Sequence, residues 1–388
     1  MYVNFVNEYN KLKLKLKAPL NLSYWWNLGS FVSLIMSIQI ITGLFLTFYY
    51  ENSENCFDSI YIIHIETFYG VLVHFIHLNV SSIIFFLIYL HMTKGLIFSS
   101  FSMMKITWIS GWIMMMLSML SAFMGYVLPW GQMSLWGATV ITNLLSAIPV
   151  IGKMMVEWIW GGYFVSNFTM KMFFSFHFLV PFIILIFIMI HLIILHYYGS
   201  NNPIGNFSLM KIEFNPIYSF KDLMSIIFII LMFVLFFYSP YFMVDPENFI
   251  KSNPMISPIH IQPEWYFLQY YAILRAIPNK LGGVLFFLLS LILLMMMIFF
   301  NYSMMMNNMK LWNLMTIMFI MSNIILVWLG GMPVEYPYLI LSQILTFIYF
   351  LNFLLIYMFN YLNFILGMYF IYSEHLKSHS KYNMLMIL

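Results

Sequence analysis

The sequence predicts an all-α membrane protein with eight transmembrane helices. Three observations predict it. Charged residues are only 7% of the 388, against roughly a quarter in an ordinary soluble domain. Hydrophobic residues make up 63%, and mean hydropathy is +0.90. Apolar stretches of ~20 residues, long enough to cross a hydrocarbon core, recur along the chain. So few charges exclude a soluble enzyme, a nucleic-acid binder and a disordered chain, and a net charge of +3 gives no pull toward nucleic acid.

The stretches run 28–49, 71–93, 107–127, 174–196, 223–241, 283–301, 312–329 and 339–361. Backbone in lipid has no water to bond, so each is read as helix. The longest connections, 128–173 and 242–282, carry Pro, Gly and Trp yet stay apolar. That predicts short surface helices laid over the membrane part, often functional. The expected units are an N-terminal four-helix domain at 1–212, a C-terminal four-helix domain at 213–361 and a tail at 362–388. With the N-terminus inside, eleven Lys fall on inner segments, and four Lys plus Arg275 on outer ones. This bias follows the positive-inside rule and places both termini on the inner side.

Cys56 is the sole cysteine, which leaves no thiolate cluster or CxxC site. Histidine is the available ligand. His77 and His91 lie on the second predicted helix, His177 and His191 on the fourth, and each pair is 14 residues apart. At ~100° per residue, 14 steps fall ~40° short of four turns, so each pair shares a face and is separated by a rise of ~21 Å. The two helices run in the same direction. His77 therefore stands at the depth of His177, and His91 at that of His191. Two stacked bis-imidazole sites suit haem, which takes two axial ligands, better than zinc, which wants more protein ligands. Intramembrane ionisable residues are costly and usually functional. Gly29 and Gly43 on the first helix, and Gly111 and Gly125 on the third, repeat the interval of 14. Glycine allows the close approach a flat macrocycle needs. The first four helices are thus read as a haem-binding bundle.

The motifs then become specific: WWNLGS (25–30), TGLFL (42–46), HLN (77–79), IYLHMTKG (88–95), MGYVLPWGQMSLWGATVITNLLSAIP (124–149), VEWIWGG (156–162), FHFLVPF (176–182), LHYYGSNNP (195–203), DPENF (245–249), PEWYFLQYYAILRAIPNKLGG (263–283) and GGMPVEYPY (330–338). In this order they resemble the cytochrome b family, the core subunit of ubiquinol–cytochrome c reductase (respiratory complex III). The resemblance spans residues 25 to about 360.

The resemblance implies two b-type haems. His77 and His177 hold the low-potential one near the outer face, His91 and His191 the high-potential one near the inner face. It implies ubiquinol oxidation at an outer site and quinone reduction at an inner one, coupled to proton translocation. Glu264 is the expected outer proton acceptor with Tyr271 beside it, in a pocket including Phe123, Gly131, Gly137 and Pro263. His196, Ser200, Asn201, Lys221 and Asp222 are the expected inner quinone residues. It further implies a Rieske iron–sulfur protein, cytochrome c1 and other complex III subunits as partners, and a homodimeric complex in the mitochondrial inner membrane. The wealth of Met (36) and the single Arg match an AT-rich genome with a reassigned Met codon, as in many mitochondria.

The sequence departs from the family where haem propionates are usually gripped. The family's Arg three residues before the first ligand is His74 here, and the one three after the second is Lys94. Another usual Arg is replaced by Met172. Arg forks a carboxylate and Lys and His do not, so His74, Lys94 and Ser30 are the expected, altered propionate contacts. Two rivals are disfavoured. The chloroplast-type relative is split and carries an extra residue between the ligands of its fourth helix. A proton-coupled transporter would place acids at the midplane.

Overall fold

The structure is a computed structural model that describes residues 17–53, 55–204, 208–300, 309–358 and 361. The tail 362–388, and Lys11, Lys13 and Lys15 of the orientation count, lie outside the described residues.

Among the described residues, eight helices are long and apolar enough to cross a membrane, matching the predicted number and order. The membrane helices are α1 (Leu28–Thr47), α3 (Gly70–Ile97), α4 (Lys105–Val127), α7 (Asn167–Tyr198), α8 (Ile217–Tyr238), α10 (Lys280–Met296), α11 (Met309–Gly330) and α12 (Tyr338–Met358). The long connections do form short helices, α5 (Gln132–Thr142) and α6 (Gly152–Trp160) in one and α9 (Leu268–Ala276) in the other, but only α6 lies at the surface: α5 has no exposed residue, and α9 is packed into the core through Tyr270 and Ile273. A further helix, α2 (Cys56–Glu66), sits between α1 and α3.

Local chemistry sets several ends. Ser166 and Thr169 form a reciprocal capping box that opens α7, satisfying two otherwise orphaned N–H groups. Asn279 accepts from the Gly282 amide to open α10. Inside α7, Pro181 has no N–H for the carbonyl four residues back, which is that of His177.

Two cores hold the fold. Phe31 and Ile35 of α1, Val80 and Leu87 of α3, Met124 of α4 and Val180 and Ile184 of α7 form one. Phe85 of α3 and Met115 of α4 join Tyr270, Leu291, Trp312 and Tyr349 of the later helices in the other. Within the first core α1 packs along α3, and α4 along α7. Short strands β1 (Lys17–Pro19) and β2 (Lys211–Glu213) pair antiparallel, Lys17 opposite Glu213. This ties the start of the described chain to the approach of α8.

Candidate functional site

His77 and His91 project from α3, His177 and His191 from α7. His77 and His177 meet with ring centroids 6.2 Å apart and planes at 89°. Hydrogen bonds settle the tautomers. His77 Nδ1 donates to the Gln39 carbonyl at 3.1 Å, and His177 Nδ1 to the Ser121 carbonyl at 2.8 Å. The Ser110 hydroxyl donates to the Thr107 carbonyl at 2.9 Å, so its oxygen accepts from His191 Nδ1 at 2.8 Å. A carbonyl only accepts, so these Nδ1 atoms carry the hydrogen and Nε2 keeps its lone pair, the form a metal ligand takes. His91 Nδ1 is buried with no hydrogen-bond partner.

This donor set fits a haem. His77 and His177, whose ring centroids lie 6.2 Å apart, would each offer an Nε2 lone pair to its iron. Among the described residues no group of three or more His, Cys, Asp and Glu could hold a metal ion.

The four glycines stand against the imidazoles themselves. A Cβ added to Gly43 would lie 2.8 Å from His77 Cε1, and one on Gly125 2.8 Å from His177 Nδ1. On the inner side the contacts are looser: 3.5 Å from Gly29 to His91 and 3.4 Å from Gly111 to His191. Glycine is therefore required at the outer pair and only convenient at the inner one.

A cavity of about 220 Å³ opens at the outer pair, and His74, His77, His177, Tyr126, Glu264 and Tyr266 line it. Burial pushes the Glu264 carboxyl up to about 7; the Asp245 carboxylate adds to the rise, and the Tyr126 hydroxyl bonded to it opposes it. A carboxyl poised near neutrality can take and release a proton at working pH.

The other predicted outer residues do not line this cavity. The Phe123 ring packs on Phe173 at 5.6 Å. Gly131 bridges to Lys251, and a Cβ there would strike the Asn248 carbonyl. Gly137 faces open space, and Pro263 is half-buried in the segment leading to Glu264. The Tyr271 hydroxyl donates to the Ile261 carbonyl at 3.1 Å, pinning the loop that carries Glu264.

At the inner end Ser30 donates to the Asp222 carboxylate at 2.8 Å. Lys221 Nζ donates to the Leu22 carbonyl at 2.7 Å and lies over the Tyr24 ring. These bonds tie α8 to the start of α1. Asn201 is turned aside, donating to the Phe98 carbonyl at 2.7 Å. Ser200 is half-buried in the same turn, and His196 is exposed at the end of α7. Lys94 is buried, with its ammonium 4.2 Å over the Trp26 ring.

The comparisons with known proteins agree with this geometry. The cytochrome b/b6/petB family model matches residues 13–199, and the cytochrome b(C-terminal)/b6/petD model matches residues 251–350. A solved chain of a hyperthermophilic respiratory complex III is 30% identical, with a TM-score of 0.85 over 92% of this chain and 97% of that one. The chain belongs to the cytochrome b family. Membership carries b-type haem binding and electron transfer with it, in a multi-pass membrane protein.

Within this cytochrome b, several side chains at the candidate site escape a sequence reading. Tyr126 and Tyr266 join Glu264 only through the fold. Thr42, Ser110 and Ser121 reach the imidazoles of His77, His191 and His177, at 3.1, 2.8 and 3.4 Å. Their signal was present: each is a small hydroxyl within four residues of one of the spaced glycines.

Proposed function

We propose that this chain is the redox core of a ubiquinol–cytochrome c reductase, oxidising ubiquinol at the outer cavity and reducing quinone at the inner end. The observation that carries the reading is the single cavity shared by the outer imidazole pair and Glu264. Quinol oxidation releases protons and electrons, and in this chamber Glu264 would take a proton while a haem on His77 and His177 would take an electron.

Two b-type haems, low-potential on His77 and His177 and high-potential on His91 and His191, would supply one-electron carriage between the faces. Glu264, oriented by Tyr126, takes the proton of a quinol hydroxyl. Tyr271 holds the Glu264 loop. Lys221 and Asp222, with His196, deliver protons to quinone oxygens at the inner end, where Ser30 fixes the Asp222 carboxylate. His74, Lys94 and Ser30 stand where the propionates are expected. Each charge crossing the bilayer is worth ~2.3 kcal/mol per 100 mV, which links the reaction to proton translocation.

With one cysteine, this chain cannot ligate an iron–sulfur cluster or carry CxxCH. The second electron of quinol therefore goes to partners of the Rieske and cytochrome c1 type, in a dimeric complex with further subunits. The proposed setting is the mitochondrial inner membrane with both termini on the matrix side, and the proposed units are 1–212, 213–361 and 362–388. A redox-titrated difference spectrum of the purified complex tests the reading. Two b-type components of separate potential are expected; one component or none overturns it.

A further inference from the structure

His64 on α2 and His74 near the start of α3 are joined by a 2.8 Å hydrogen bond between His64 Nε2 and His74 Nδ1. Their rings are 4.8 Å apart at 50°, and Phe75 packs against both. His74 lines the outer cavity with His77, His177 and Glu264. His64 is half-buried on a surface helix whose neighbours Tyr61 and Ile65 are exposed. The two remaining nitrogens, His74 Nε2 and His64 Nδ1, have no hydrogen-bond partner among the described residues, and neither is sealed inside the protein. The pair therefore has one open nitrogen at each end.

The neighbouring titratable groups do not short-circuit it. Asp58 on α2 is paired with Lys251 at 2.8 Å, and Glu66 bonds neither ring. His77, the next imidazole on α3, has its Nδ1 engaged by the Gln39 carbonyl. Burial lowers the basicity of His64, which keeps it neutral near pH 7, and a neutral imidazole passes a proton on rather than storing it.

We propose that His64 and His74 form a two-imidazole proton relay from the outer cavity to the outer aqueous face. The relay rests on the outer site being a place of quinol oxidation. In the starting state His74 Nδ1–H donates to His64 Nε2, and His64 carries its hydrogen on Nδ1. A proton arrives on His74 Nε2 from a carboxylic acid or water in the cavity. The Nδ1 proton of His74 passes to His64 Nε2, and the Nδ1 proton of His64 leaves to water. One proton enters, one leaves and no electron moves. Both rings end as the other tautomer and reset by turning.

The test uses the complete complex carrying His64→Ala, assayed for each half-reaction with and without added imidazole. A positioned acid–base group contributes ~10²–10⁴-fold. The expected result is a fall of ~10-fold or more in outer quinol oxidation, with inner quinone reduction and the b-type spectrum unchanged, and recovery of the lost rate with imidazole in solution. Retention of the parent rate, or a loss that imidazole fails to restore, overturns the relay. Should His64→Ala not assemble, His64→Gln carries the test, because an amide keeps the bond to His74 but relays no proton. Slow outer oxidation in that variant supports the relay, and the parent rate overturns it. Glu264→Gln is measured alongside. If it too leaves outer oxidation untouched, the outer-site reading fails; if it slows oxidation while His64→Ala does not, only the relay fails.

Discussion

Gly125 faces His177 so closely that a methyl group on the glycine would stand 2.8 Å from the imidazole Nδ1. That nitrogen is already committed to the Ser121 carbonyl at 2.8 Å, so the ring cannot turn away without losing its orienting bond. Gly125→Ala is expected to cost ~1–3 kcal/mol by overpacking and to weaken or remove the outer b-type component. Gly111→Ala, whose added carbon would sit in ordinary contact with His191 at 3.4 Å, is expected to leave the inner component in place. Difference spectra of the two variants check the contrast.

His91→Leu separates the two sites. It removes one inner imidazole at the depth of His191 and leaves the His77–His177 pair at 6.2 Å untouched. The expected spectrum has the outer component alone. A variant that keeps both components refutes the ligand assignment.

Glu264 sets a pH dependence. Its carboxyl titrates near pH 7 because burial disfavours the anion. Below that value it holds its proton and cannot accept another; above it the carboxylate is free to do so. Quinol oxidation is therefore expected to rise through about pH 7 and level off. Glu264→Gln should flatten the rise and slow outer oxidation by ~10²-fold, with inner quinone reduction unchanged. Stopped-flow rates of each half-reaction across pH read both effects.

Arg275, the sole arginine, earns its place by geometry. It donates to the Leu329 and Gly330 carbonyls at 3.1 and 2.6 Å and lies 4.3 Å over the Tyr271 ring. Those carbonyls end α11, where a cation also meets the negative end of the helix dipole. Lysine offers one ammonium and no plane to stack. Arg275→Lys is expected to cost ~1.5–3 kcal/mol, the worth of hydrogen bonds to a charged group. It should also raise the quinol KM, since Tyr271 pins the Glu264 loop through Ile261. A thermal melt and steady-state kinetics on the assembled complex measure the two.

Composition alone was enough to determine a polytopic helical protein, because backbone in lipid must bond to itself and 7% charge cannot cover a soluble surface. Helix periodicity turned the 14-residue intervals of His and Gly into two depths on matched helices, since rise and turn per residue are constants of the α-helix. What lay outside its reach were contacts between segments far apart in the chain. Glu264 meets Tyr126 and the outer cavity only because the 242–282 connection folds back over α3 and α4. Asn201 and Tyr271, chosen by motif, donate to the Phe98 and Ile261 carbonyls, contacts that no motif foretells. His64, which carries no motif, reaches His74 because α2 packs against α3. Local rules act over one or two turns. Which side chains share a cavity is decided by how helices pack, and in a chain apolar on every face periodicity does not reveal which face packs inward.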